Sequence, residues 1–257
     1  MQNGHMYMEI LQLAGRIIME NGGETFRAEE TVSLMGQALG LEDVEGFAVP
    51  SGLFISFRWE EESVSSVLRV RRGGTDLSRV DAVNEISREL VQGRIDAGHA
   101  LKALERIRKE APRHRKLMSV LGSGICAAGF SLMFGGGVRE FLLAACVGFM
   151  NQALALLLER VHMQTLVTML LGSFLATLLP NLYRYALGPV NLEAVIAGAL
   201  MPLLPGLAMT NAVQDTMRGD NISGVSHFSS AVLTAGLVAG GALMASSLFE
   251  LLTGGGL

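Results

Sequence analysis

The stretch PRHRKLMSVLGSGICAAGFSLMFGGGVRE, residues 112–140, leaves a basic cluster at Lys116, runs uncharged from Leu117 to Val138 and meets charge again at Arg139-Glu140. The hydrocarbon core of a bilayer, roughly 30 Å thick, is crossed by about 20 apolar residues in helix, so this stretch reads as a membrane span. The pattern repeats downstream. Uncharged runs extend from Phe141 to Leu158, Val161 to Tyr183, Ala194 to Gln214 and Asn221 to Phe249, with short polar or turn-forming gaps that suit helical hairpins. Five spans are expected, at about 117–136, 141–158, 163–182, 191–210 and 228–249.

Charge divides the chain at the same place. Residues 1–116 hold 18 acidic and 16 basic side chains, whereas residues 117–257 hold 6 and 4. A soluble domain keeps ions over its whole surface, so the second part has lipid as its solvent. Lys102, Arg106, Arg108, Lys109, Arg113, Arg115 and Lys116 crowd the start of the first span. The positive-inside rule puts that end, and the residues before it, in the cytoplasm, with the C-terminus outside after five crossings. Glu9, Arg16, Glu20 and Glu24 interrupt the apolar pattern of the first 30 residues, so no signal peptide is expected. The net charge of −4 produces no large field of one sign, so no nucleic-acid partner is expected. Cys126 and Cys146 lie inside apolar runs without metal or redox spacing and read as packing residues. His5, His99, His114, His162 and His227 are scattered without ligand spacing and read as surface or loop residues. Neither a metal nor a cofactor is implied.

Residues 1–116 carry periodic apolar patterns and are expected to form a small cytoplasmic α/β domain. Met6, Ile10, Leu13, Ile17 and Ile18 lie on one helical stripe, and Asn21-Gly22-Gly23 supplies a left-handed end. Glu24 to Leu39 forms a second helix closed by Gly40. Strands are expected over Val44–Val49, Leu53–Trp59 and Val64–Val70, the second alternating strictly through Leu53, Ile55, Phe57 and Trp59. Asp76 can cap a helix striped with Leu77, Val80, Val83, Ile86, Leu90 and Val91, and Ala100–Lys109 leads toward a hinge at Pro112. The whole is a membrane α-helical bundle, residues 117–257, preceded by the α/β domain.

Polar and helix-breaking residues concentrate around the fourth span. Pro202 and Pro205 each remove an amide donor, so the helix should break before Gly206, as in transporters whose broken helices hold solute. A helix that simply ends at the interface is the alternative. Asn211 and Asp215 are one turn apart and share a face if helix resumes, where they could hold a proton, a cation or an ammonium group. A solvated loop competes with that reading. Glu193, at the outer start of the span, is either an intramembrane acid or an interfacial residue. Asn151, beside Gln152 in the second span, either bonds between helices or contacts solute. Gly236 and Gly240 permit close helix approach, within the chain or against a partner. Gly23-Glu24-Thr25 with Arg27 and Glu29, and Pro50-Ser51-Gly52, read as a capped helix start and a hairpin turn rather than a catalytic set.

Taken together, Gly23-Glu24-Thr25, Arg27, Leu39-Gly40-Leu41, Gly52, Arg69, Gly73, Pro205-Gly206, Asn211-Ala212, Asp215, Gly219 and Ser223-Gly224 resemble the threonine/serine exporter family over nearly the whole sequence. In length the chain looks like its half-sized bacterial members. The resemblance implies a secondary exporter of a small amino or carboxylic acid, driven by the proton gradient, with a second small membrane protein supplying the other half and assembly into an oligomer. It implies threonine or serine as solute in some relatives and a dicarboxylate such as succinate in half-sized ones. An ammonium-bearing solute would favour Asp215, whereas a dicarboxylate would need a cation such as Arg218 or Arg184. A membrane-anchored hydrolase and a scaffold for a channel-forming partner are the rival classes, although five spans exceed what anchoring requires.

Overall fold

The computed structural model describes residues 2–71, 74–109 and 115–254. Gly73, Pro112, Arg113 and His114 lie outside the described residues. The chain forms two compact units, Met1–Ala111 with Leu207–Phe228, and Pro112–Gly206 with Ser229–Leu257. Residues 207–228, assigned by composition to the apolar half, therefore cluster with the N-terminal residues.

In the first unit α1 (Gln2–Glu20) ends where Gly22 adopts a φ of +83° and Asn21 donates its side-chain amide to the Ile17 carbonyl. That sharp reversal starts α2 (Thr25–Ala38), which closes at Gly40, φ +75°. β1 (Glu42–Val49), β2 (Gly52–Trp59) and β3 (Glu62–Arg69) make an antiparallel meander in the order β1-β2-β3. Val49 pairs with Gly52 across the Pro50-Ser51 turn, as the hairpin reading required. Leu53, Ile55 and Phe57 face the core beneath Ile10, Leu11, Ile17 and Val32. The fourth member of that alternation, Trp59, is half-buried and meets Tyr7 edge-on with ring centroids 5.2 Å apart. α3 (Leu77–Val91) buries Val80, Val83, Ile86 and Leu90 and leaves Leu77 and Val91 exposed. Asp76 stands at its N-cap position, where its backbone carbonyl accepts from the Arg79 amide at 3.1 Å but its side chain makes no capping bond and lies 3.5 Å from the Arg79 guanidinium. α4 (Ala97–Lys109) packs Ala100 and Leu104 into the same core.

The second unit holds α5 (Arg115–Met133), α6 (Val138–Arg160), α7 (Thr165–Leu187), α8 (Leu192–Leu200) and the greater part of α10 (Asn221–Thr253). Small residues bring these helices together. A Cβ on Gly198 would lie 2.5 Å from the Ala127 carbonyl oxygen, and one on Gly148 would lie 2.8 Å from that of Ser123. The Glu140 carboxylate accepts from the amides of Gly137 (2.9 Å) and Asn191 (3.1 Å), tying two interhelical connections together. Among the described residues four helices are long and apolar enough to cross a membrane, and the number rises to five if the bent pair Leu192–Leu203 with Gly206–Met217 counts as one span. In the four apolar windows only 22–28% of residues are buried, with Leu117, Ile125, Val138, Leu187 and Leu243 outward-facing. Apolar faces this large are rare on soluble monomers and mark surfaces that meet lipid or protein.

Candidate functional site

The break expected near Pro205 is present. α8 passes into a 3-10 turn at Met201–Leu203, Leu204 adopts an extended φ of −71° and ψ of 139°, and α9 (Gly206–Met217) then starts, with a bend of 57° across the break. The ring of Pro205 disfavours helical backbone at the residue before it, which accounts for Leu204. Pro202 occupies the first turn of the 3-10 segment, where its missing amide costs nothing.

Beyond the break, α9 turns Asn211 and Asp215 to one buried face, 5% and 0% exposed. The Asp215 carboxylate is a hub in the first unit. Its Oδ1 accepts a hydrogen bond from the Thr25 hydroxyl at 2.9 Å, and its Oδ2 lies 2.8 Å from His227 Nδ1. His227 is 1% exposed and Thr25 2%, so the cluster is closed to bulk water. The surface reading of the histidines is corrected here: His5, His99 and His162 are exposed, but His227 is buried with its ring against the Asp215 carboxyl group. The helix-start reading of Thr25 is also incomplete. Glu24 stands at the N-cap of α2 without a side-chain capping bond, and the Thr25 hydroxyl is directed to Asp215.

Surrounding groups extend the hub. The Glu29 carboxylate accepts from the Ala48 amide at 2.6 Å, and the Ser223 hydroxyl donates to the Ala48 carbonyl at 3.4 Å. Burial pushes the Glu29 carboxyl up from its ordinary value against the opposing Ala48 hydrogen bond, and the Asp220 and Asp215 carboxylates add to the rise. Arg218 is exposed and lies over the Phe26 ring, 3.3 Å from its centroid. Gly219, φ +92°, makes the turn into α10, and Gly224 leaves room for the Thr216 hydroxyl. The Thr25 hydroxyl is directed to the acid of the Asp215–His227 pair.

The remaining sequence candidates are elsewhere. Glu193 is exposed in the first turn of α8, where Asn191 caps the helix by accepting from the Ala194 amide. Asn151 is 4% exposed on α6, and neither its Nδ2 nor its Oδ1 has a hydrogen-bond partner among the described residues. Its neighbour Gln152 bonds Ser119 of α5 at 2.9 Å. Gly236 meets nothing within 4 Å and Gly240 reaches only Leu170 at 4.0 Å. The close approach is one residue on, at Gly241, where a Cβ would collide with Ser173 and the Leu170 carbonyl. Cys126 is half-buried, and Cys146 faces outward, so it fills no core space.

Long apolar helices, one pair of them broken, and a buried carboxylate after the break are the parts from which multi-pass membrane transporters are built. A family model described as "Putative threonine/serine exporter" matches residues 9–249, and the chain belongs to that family. It is 22% identical over 227 residues to a probable threonine/serine exporter of Mycobacterium tuberculosis, a match covering 87% of this chain and 43% of that protein. With the threonine/serine exporter of Corynebacterium glutamicum it shares 25% identity over 172 residues, covering 65% of this chain and 35% of the other. The chain thus spans less than half the length of these two relatives. Against the probable succinate transporter subunit YjjP of Escherichia coli it is 23% identical over 242 residues, 92% of either chain. No solved structure matches.

Proposed function

We propose that the chain is one subunit of a proton-driven secondary exporter for a small amino or carboxylic acid, working with a second membrane protein that supplies the other half. The observation that carries this reading is the broken helix pair at Leu204-Pro205 followed by the buried Asp215. Irregular backbone within a membrane is tolerated where protein or a polar cavity satisfies it, which is where transporters place their sites. Residues 207–228 belong to the same compact unit as the N-terminal domain. That grouping supports placing the turn before α10 on the cytoplasmic side with the domain, the C-terminus outside and the bent pair as the fourth of five spans. The full-length exporters above and the near-equal length of YjjP support a partner subunit.

Counterflow of labelled threonine, serine and succinate into vesicles holding this chain, with and without the second subunit, tests the proposal. Accumulation of one of these solutes when both subunits are present is the expected result. No exchange of any of the three in either preparation would remove the exporter reading.

A further inference from the structure

Asp215 has already committed both oxygens, one to Thr25 and the other to His227, and no part of it is exposed. A solute could reach it only if the packing around it opened. The hub is built for a smaller cargo. An ionised carboxylate only accepts, so His227 Nδ1 carries hydrogen toward Asp215 Oδ2. With the imidazole neutral and the carboxylate ionised, the pair carries one negative charge; a proton added to the ring turns it into a hydrogen-bonded ion pair of no net charge. The neighbouring groups bear on that equilibrium. α2 brings Glu24 and Arg27, paired at 3.6 Å, and Glu29; α9 brings Arg218 over Phe26; Asp220 precedes α10; β1 contributes the Ala48 backbone.

We infer that His227 and Asp215 together carry the coupling proton of export, and that Thr25 is the positioning residue holding the carboxylate toward the imidazole. The inference rests on the exporter reading, but its first test does not require transport. In detergent-solubilised full-length protein with ¹³C-labelled histidine, the signal lost in His227→Gln identifies the residue. Over about pH 5 to about pH 9 that signal should titrate, and its midpoint should fall in Asp215→Asn and move less in Thr25→Ser than in Thr25→Val. A His227 that keeps one protonation state throughout, or a midpoint indifferent to Asp215→Asn, overturns the assignment. In vesicles with both subunits, the ratio of export with an imposed pH gradient to export without one should fall roughly tenfold in His227→Gln and recover in Thr25→Ser relative to Thr25→Val. A wild-type ratio kept by His227→Gln overturns the proton role while leaving the exporter reading intact. Absence of wild-type export in the same vesicles removes the exporter reading and the coupling role with it, and leaves only the shared proton of the pair, which the histidine signal tests by itself.

Discussion

The hydroxyl of Thr25 supplies one of the donors on a carboxylate that water does not reach. Thr25→Val keeps the shape and deletes that donor, so it should cost about 1–3 kcal/mol in denaturant unfolding of the detergent-solubilised protein, and Thr25→Ser distinctly less. Equal loss in both would show that packing, not the hydrogen bond, matters at this position. At Glu29 the folded state raises the carboxyl, so it binds more protons than the unfolded chain. Its contribution is therefore present below the ordinary glutamate value of about 4.3 and lost as pH rises through the raised value in the folded protein. Glu29→Gln should flatten the decline of stability with pH between those two values in unfolding curves taken across the range. The shared face of Asn211 and Asp215 was legible from their spacing of one helical turn. Thr25 and His227 were not, because a bond across 190 positions of sequence leaves no periodic trace and isolated histidines carry no spacing signal.

Element boundaries followed the local rules closely wherever those rules were strong. Alternation fixed β2, paired glycines ended α1, and the two prolines placed the break at Leu204. Helix packing was less legible, because a Gly-x-x-x-Gly spacing states that close approach is allowed without saying which neighbour arrives. The structure uses Gly198 and Gly241 where the spacing suggested Gly236 and Gly240. Gly198→Ala sets a methyl against backbone atoms that cannot yield and should destabilise by about 1–3 kcal/mol in the same unfolding assay. Gly236→Ala should stay within about 0.5 kcal/mol of the unsubstituted protein. A reversal of that order would mean that the helices pack differently.

On the scale of the whole chain, the charge division at Lys116 located the apolar half but not the return of residues 207–228 to the N-terminal unit. Composition averages over a segment, whereas that return is made by a few buried polar contacts. α10, 33 residues long, reaches about 50 Å at the α-helical rise, enough to bury His227 in the first unit and still span lipid with its later turns. With five crossings the two termini face opposite sides, so a reporter fused after Thr253 should be active only outside the cytoplasm and one fused at the N-terminus only inside. Reporters active on the same side would turn the bent pair into a re-entrant segment. Everything above depends on lipid being the solvent of the apolar helices. Extraction of membranes expressing the full chain with alkaline carbonate measures that directly: the protein should stay with the sedimented bilayer, and its release as a monodisperse species into detergent-free buffer would contradict the account.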